Sequence, residues 1–169
     1  MKIVVDSREQ NSLKFKEGEA ISKKLDVGDY SIEGMEHLIS VERKNPLDLF
    51  RTLTSDNERF QRELKRASRL EYFAVMIEGS YRSIRDKTFN NSYRTKVRGD
   101  IILKILYNLS FKYNFHIIFC HDRNEASSML RKILSTYDNY KNHTCHPVIS
   151  DLNWLRIVHR LRRRLRPDK

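Results

Sequence analysis

Residues 71–78 (Glu71-Tyr72-Phe73-Ala74-Val75-Met76-Ile77-Glu78) constrain this 169-residue chain most. They form a nearly continuous apolar run, closed by Gly79 and far too short to cross a membrane. A strand presents its side chains alternately to its two faces, so an apolar run of this length needs cover on both. The rest of the chain supplies the cover. Asn45 reads as an N-cap with Pro46 at the first helical position, and Leu47, Phe50 and Leu53 follow at helical spacing. Residues 54–57 interrupt, and a second helix carries Phe60, Leu64 and Ala67 inward. Residues 99–113 and 123–140 are further amphipathic helices, and residues 2–6 and 115–120 are strands. Residues 7–24 and 80–97 are polar and carry no clear element. The order β, ββ, α, β, α, β, α predicts an α/β fold, a central mixed sheet flanked by helices. One domain over 1–142 is expected, followed by a basic extension over 143–169.

Residues 25–32 and 37–43 read as two strands joined by Glu33-Gly34-Met35-Glu36. If that loop centres the hairpin, Asp29 opposes Ser40 and Tyr30 opposes Ile39. One face then carries Asp29, Ser31, Ser40, Glu42 and Lys44, and the other an apolar set for the core: Tyr30, Ile32, Ile39 and Val41. Two carboxylates and a lysine on one face suit metal-dependent phosphodiester cleavage. The carboxylates would hold a hard cation, the cation would polarise phosphate and activate water, and the lysine would stabilise developing charge.

A third of the residues are charged and the net charge is +11, which points to a polyanionic partner, most often nucleic acid. Much of the excess is local. From Leu152 to Lys169 there are seven bases (Arg156, Arg160, Arg162, Arg163, Arg164, Arg166, Lys169) against one acid, Asp168. Trp154, Val158, Leu161 and Leu165 recur at helical spacing, so this is a basic amphipathic helix. Arg156, Arg160, Arg163 and Arg164 are candidate DNA contacts; docking of the apolar stripe on the core, or on an anionic membrane surface, is the competing reading. His143, Cys145 and His146 offer three metal-binding side chains but no second cluster at zinc-finger spacing, so a surface loop is expected there. Two cysteines do not make a disulfide framework, and no run of about eighteen apolar residues predicts a membrane span.

The pairing of Asp29 with Glu42-Arg43-Lys44 fits the general pattern of the restriction-endonuclease-like superfamily, an aspartate followed by a D/E-x-K strand. The fuller set is more specific. It comprises Asp6-Ser7-Arg8-Glu9, Gly28-Asp29, Glu42-Arg43-Lys44 and Asp48, with Arg59 in Glu58-Arg59-Phe60 and Ile77-Glu78-Gly79 beyond. This set closely resembles the XPF-type structure-specific nuclease domain, whose signature is G-D, a spacer, then E-R-K-x-x-x-D, and the resemblance spans about residues 2–140. It implies that Asp29 and Glu42 are metal ligands for Mg²⁺ or Mn²⁺, that Asp6 and Glu9 complete an acidic cluster, and that Lys44 is the catalytic lysine. Arg43 would contact the scissile phosphate or brace the acids. Asp48 would bind metal indirectly, fix Arg43 and Lys44, or simply favour the helix dipole. Arg8 would be a substrate contact or a partner of the carboxylates, and Arg59 a phosphate contact.

The implied activity is endonucleolytic hydrolysis of branched or flapped DNA in repair, recombination or replication, leaving 5′-phosphate and 3′-hydroxyl ends. The alternatives are a catalytically silent DNA-binding subunit and a sequence-specific endonuclease directed at foreign DNA. Cellular members usually carry a helix-hairpin-helix domain after the nuclease domain and many dimerise. Here about 27 residues follow the core, so a compact phage- or bacterial-like form is expected, with a homodimer or a heteromeric partner both open. The expected location is the cytoplasm of a prokaryotic or phage-infected cell, or the nucleus if the source is eukaryotic or a virus of eukaryotes.

Overall fold

The computed structural model describes residues 1–89 and 96–142. The basic segment with Arg156, Arg160, Arg163 and Arg164, and the His143/Cys145/His146 triplet, lie outside the described residues. The chain divides into two compact units, Met1–Leu134 and Ser135–Lys169. The described part of the second is the last two turns of a helix, where the Tyr137 and Tyr140 rings sit 6.4 Å apart.

The first unit is built on six strands: β1 (Ile3–Asp6), β2 (Ala20–Lys23), β3 (Tyr30–Ile32), β4 (Ile39–Lys44), β5 (Tyr72–Glu78) and β6 (His116–Cys120). The helices are α1 (Pro46–Leu53), α2 (Asn57–Ala67), α3 (Tyr81–Asp86), α4 (Gly99–Tyr113) and α5 (Arg123–Asn142). Strand order is β2-β1-β3-β4-β5-β6. β1 pairs parallel with β2; β1–β3 and β3–β4 are antiparallel; β4–β5 and β5–β6 are parallel. The sheet is therefore mixed, and β5 lies inside it with Phe73–Ile77 all buried. Leu49, Phe50, Leu53, Phe60 and Leu64 of the first two helices join Ile102, Leu106 and Leu109 of α4 in one core. At about 25 cal/mol per Å² of apolar surface removed from water, this burial is the main force ordering the sheet.

Three local expectations are corrected. β3 is only three residues long, and residues 26–29 are bends, because Gly28 sits at φ +74° and breaks the extended run. Tyr30 pairs with Val41, not Ile39. The Met35 carbonyl accepts from both Leu38 and Ile39 N–H, an extra turn that moves the hairpin centre and shifts the register by two. A shift of two preserves which residues share a face. Both faces of β4 are buried, Ser31 and Ser40 fully. Ser31 Oγ donates to the Ile39 carbonyl at 2.6 Å and Ser40 Oγ to the Val27 carbonyl at 2.8 Å, which satisfies both hydroxyls. Leu47 is exposed, and Leu49 takes the inward place. Two elements were not foreseen: β2, a half-exposed edge strand of mixed composition, and α3, a six-residue helix capped by Ser80.

Candidate active site

Gly28 and β4 place the central groups. A Cβ on Gly28 would meet Ser40 Oγ at 2.2 Å, and its φ of +74° also favours glycine. Asp29 follows at once. Its N–H donates to the Val41 carbonyl at 3.0 Å and its carbonyl accepts from Asp6 N–H at 2.8 Å, so its backbone is held between β1 and β4. Its Oδ2 accepts the Arg43 backbone N–H at 2.8 Å. Glu42 lies opposite on β4, with Lys44 two residues on and on the same face. Lys44 Nζ donates to Glu42 Oε1 at 2.5 Å, stands 4.0 Å from Asp48 Oδ2, and sits over the Phe60 ring.

These three groups form the floor of a cleft of about 370 Å³, also lined by Gly28, Asp6, Arg8 and Asp26, and by Arg59, Arg62, Glu63 and Arg66 of α2. Burial and the neighbouring Glu9 charge push the Asp29 carboxyl up to about 6, against the Arg43 N–H and the Lys44 and Arg43 charges. Burial and the Asp29 charge raise Glu42 well above the usual range. Burial opposes the charge on Lys44, but Glu42 outweighs it, so the ammonium is retained.

The other expected residues are placed differently. Asp6 lines the cleft with its oxygens committed. Oδ1 accepts from Arg8 N–H and Nε, both at 2.8 Å; Oδ2 accepts from Arg8 Nη2 at 2.9 Å and Leu25 N–H at 2.7 Å. Burial works against its charge, yet these bonds hold its pKa below the usual value. Arg8 thus pairs with a carboxylate while still lining the cleft. Arg43, between Glu42 and Lys44, projects to the opposite face. Its guanidinium meets Glu9 Oε1 at 3.0 Å and Glu78 Oε1 at 3.1 Å. It is a brace, and it does not line the cleft. Glu9 goes with it, also accepting Asn11 N–H at 2.7 Å. Asp48 accepts from Arg51 at 2.8 Å on the outer side of α1, its N–H capped by Asn45.

The four expected acids are therefore not drawn into one cage. Among the described residues no group of three or more His, Cys, Asp or Glu side chains could hold a metal. Asp29 and Glu42 remain a suitable pair. Both are hard oxygen donors whose pKa values are raised first by burial, with Glu9 adding to it at Asp29 and Asp29 at Glu42. Mg²⁺ commonly uses one or two carboxylates and completes its shell with water and substrate phosphate, so this pair fits such an ion. Sequence reasoning missed Arg62, Glu63 and Arg66. Their signal was helical spacing from Arg59, three, four and seven residues on. It gave Glu78 no role; the structure pairs it with Arg43 and, at 3.4 Å, with Arg123.

The mixed sheet, with an aspartate beside an acidic-x-lysine strand, defines a restriction-endonuclease-like α/β domain of the XPF nuclease type. The ERCC4 domain family matches residues 5–133, and the chain belongs to it. Among solved structures, XPF from Aeropyrum pernix is similar with a TM-score of 0.61 at 19% identity, over 81% of this chain and 61% of that one. XPF from Aeropyrum pernix in complex with DNA gives 0.59 at 19% identity, over 82% and 65%. The chain thus spans less than two thirds of those structures, and the likeness is one of fold. No curated protein matches the chain.

Proposed function

We propose that this chain is a divalent-cation-dependent DNA endonuclease acting on branched or flapped DNA. The observation that carries the reading is the convergence of Asp29, Glu42 and Lys44 at the floor of a cleft rimmed by arginines. Family membership and the solved relative in complex with DNA support a nucleic-acid substrate.

Asp29 and Glu42 would hold Mg²⁺ or Mn²⁺, which when bound supplies charge for the phosphate and lowers the pKa of a coordinated water. The protein's own work is positioning. The ladder bonds to Asp29 and the brace on Arg43 fix both carboxylates, so little reorganisation accompanies substrate arrival. Lys44 keeps its proton beside Glu42 and provides a fixed positive charge toward the phosphate. Arg59, with its side chain 69% exposed and 3.7 Å from Asp56, is free to turn toward a backbone phosphate.

The test is cleavage of labelled 3′-flap, 5′-flap, fork and four-way-junction oligonucleotides in Mg²⁺ or Mn²⁺, with Glu42→Gln alongside. Metal-dependent cutting next to the branch that the variant loses is the expected result. Equal cutting by the variant would remove the assignment, and discrete bands from a long natural duplex would replace branch preference with sequence preference.

A further inference from the structure

We infer that α2 carries a phosphate track peculiar to this cleft, with Arg62 and Arg66 extending Arg59 to hold the substrate strand across the carboxylate floor. The inference rests on the nuclease reading and names the side chains that would grip the substrate there.

Arg59, Arg62 and Arg66 stand three and four residues apart on one helix, so they share a face. That face is the wall of the cleft, since all three line it opposite Asp29, Glu42 and Lys44. Seven residues of helix rise about 10 Å. Along the duplex axis one strand advances about 3.4 Å per phosphate, so a row of this length is on the scale of a few successive phosphates.

These arginines differ from those that brace the fold. Arg43 is buried between two glutamates, Arg8 is bidentate to Asp6, and Arg131 is bonded to Glu19 and to the Lys14 carbonyl. Each is committed to structure. By contrast, Arg66 approaches Asp26 at 3.9 Å, an aspartate 85% exposed, and its Nη1 donates to the Arg62 carbonyl at 3.5 Å. Arg62 is exposed, and no ion pair among the described residues holds it. Exposed pairs at such distances contribute little, so both guanidinium groups can be recruited by a phosphate at small cost.

Charge balance gives the row a purpose. Five acids and five bases line the cleft. Without the three arginines, five acids would face two bases, and the floor would repel the polyanion it is to cut. Arginine suits the task because its planar fork engages phosphate oxygens bidentately.

The experiment compares three full-length proteins: wild type, Arg62→Ala/Arg66→Ala, and Lys65→Ala/Arg69→Ala. The last removes the same charge from the helix and the turn that follows it, at positions that do not line the cleft. Binding of a fluorescent flap duplex is measured by anisotropy in EDTA from 50 to 200 mM salt, and cleavage is measured in Mn²⁺. Loss of two phosphate contacts should flatten the log Kd against log salt slope by nearly two. The cleft pair should show that change together with a raised KM and an unchanged kcat; the matched pair should show less than half of it. Arg62→Gln/Arg66→Gln, which keeps straight helix-forming side chains, should reproduce the cleft-pair result at an unchanged melting temperature. Equal slopes for the two double variants, or an unmoved KM in the cleft pair, would overturn the track and leave the nuclease reading standing. If wild type binds but cuts nothing in Mg²⁺ or Mn²⁺ while only the cleft pair loses slope, the track stands and the nuclease reading falls.

Discussion

On one face of β4, Glu42 and Lys44 stand beside Asp29 at the floor of the cleft; on the other, Arg43 is gripped by Glu9 and Glu78. The burial is similar, with side-chain exposures of 8% for Glu42, 9% for Lys44 and 7% for Arg43. The charge arithmetic differs. Behind the strand, one guanidinium meets two carboxylates, and Arg123 adds a second positive charge at 3.4 Å from Glu78. Burial opposes the charge on Arg43, but Glu78 and Glu9 outweigh it and raise its pKa. In the cleft, two carboxylates share one ammonium, and both are pushed up. Among these side chains, two acids meet two guanidinium groups at the back, while two acids flank one ammonium on the cleft floor. Adjacent residues of a single strand thus supply a brace on one face and a cleft floor on the other.

The largest effect should come from the front. Glu42→Gln keeps the shape and an acceptor for Lys44 but removes a carboxylate. Cleavage should fall about 10³-fold, the scale of losing a charge-stabilising group at a reacting centre. DNA binding in EDTA should hold or tighten, because the floor is less negative. Single-turnover cleavage and anisotropy on one preparation check both. Next is the back. Arg43→Ala leaves Glu9 and Glu78 buried without their shared partner, which should cost about 3–5 kcal/mol and lower the melting temperature by about 10 °C. Arg43→Lys should recover only part of this, since one ammonium cannot span both glutamates as a fork does. A melting temperature unchanged in Arg43→Ala would erase the contrast between the faces.

The front was more legible in sequence than the back. Asp29, Glu42 and Lys44 share a face by strand alternation, and a register error of two leaves that face intact. The same alternation turns Arg43 away from Glu42 and Lys44, yet the family signature binds all three into one motif and invites a common role. The destinations of Asp6 and Glu9 could not be read, because they depend on the path of residues 7–19. That path is set by long-range bonds: Arg123 to the carbonyls of Asn11 and Ser12 at 2.5 and 2.6 Å, and Leu13 N–H to the Tyr30 hydroxyl at 2.9 Å. No local periodicity encodes them. The apolar run of β5 and the helical spacing of α2 and α4 are local, and those elements fall where the pattern puts them. β2 escaped because an edge strand with two exposed positions carries little apolar signal.

Arg123 tests how far the support extends. It joins Glu78 to the segment bearing Glu9, but it is partly exposed and its main bonds go to carbonyls that water could satisfy. Arg123→Ala should therefore cost less than Arg43→Ala, about 1–2 kcal/mol, by urea melt. A loss equal to that of Arg43→Ala would move the centre of the brace from β4 to α5.

The smallest effect has the opposite sign. Asp29 titrates at about 6 in the fold, against 3.8 for an unperturbed side chain. Between those values the folded chain holds more protons than the unfolded one, so this group's contribution to stability falls as pH rises through the window and stays lost above it. Asp29→Asn keeps an oxygen for the Arg43 N–H and abolishes the penalty. At pH 8 without metal the variant should be more stable than wild type, by about 1 kcal/mol once partial exposure is allowed for, and melt a few degrees higher. At pH 4 the two should converge. Millimolar Mn²⁺ should stabilise wild type at pH 8 and leave the variant unmoved, because the cation binds the ionised carboxylate that the variant lacks. A variant that gains nothing at pH 8, or that responds to Mn²⁺ as wild type does, would show that the front face is not short of positive charge, and its difference from the back would be one of position alone.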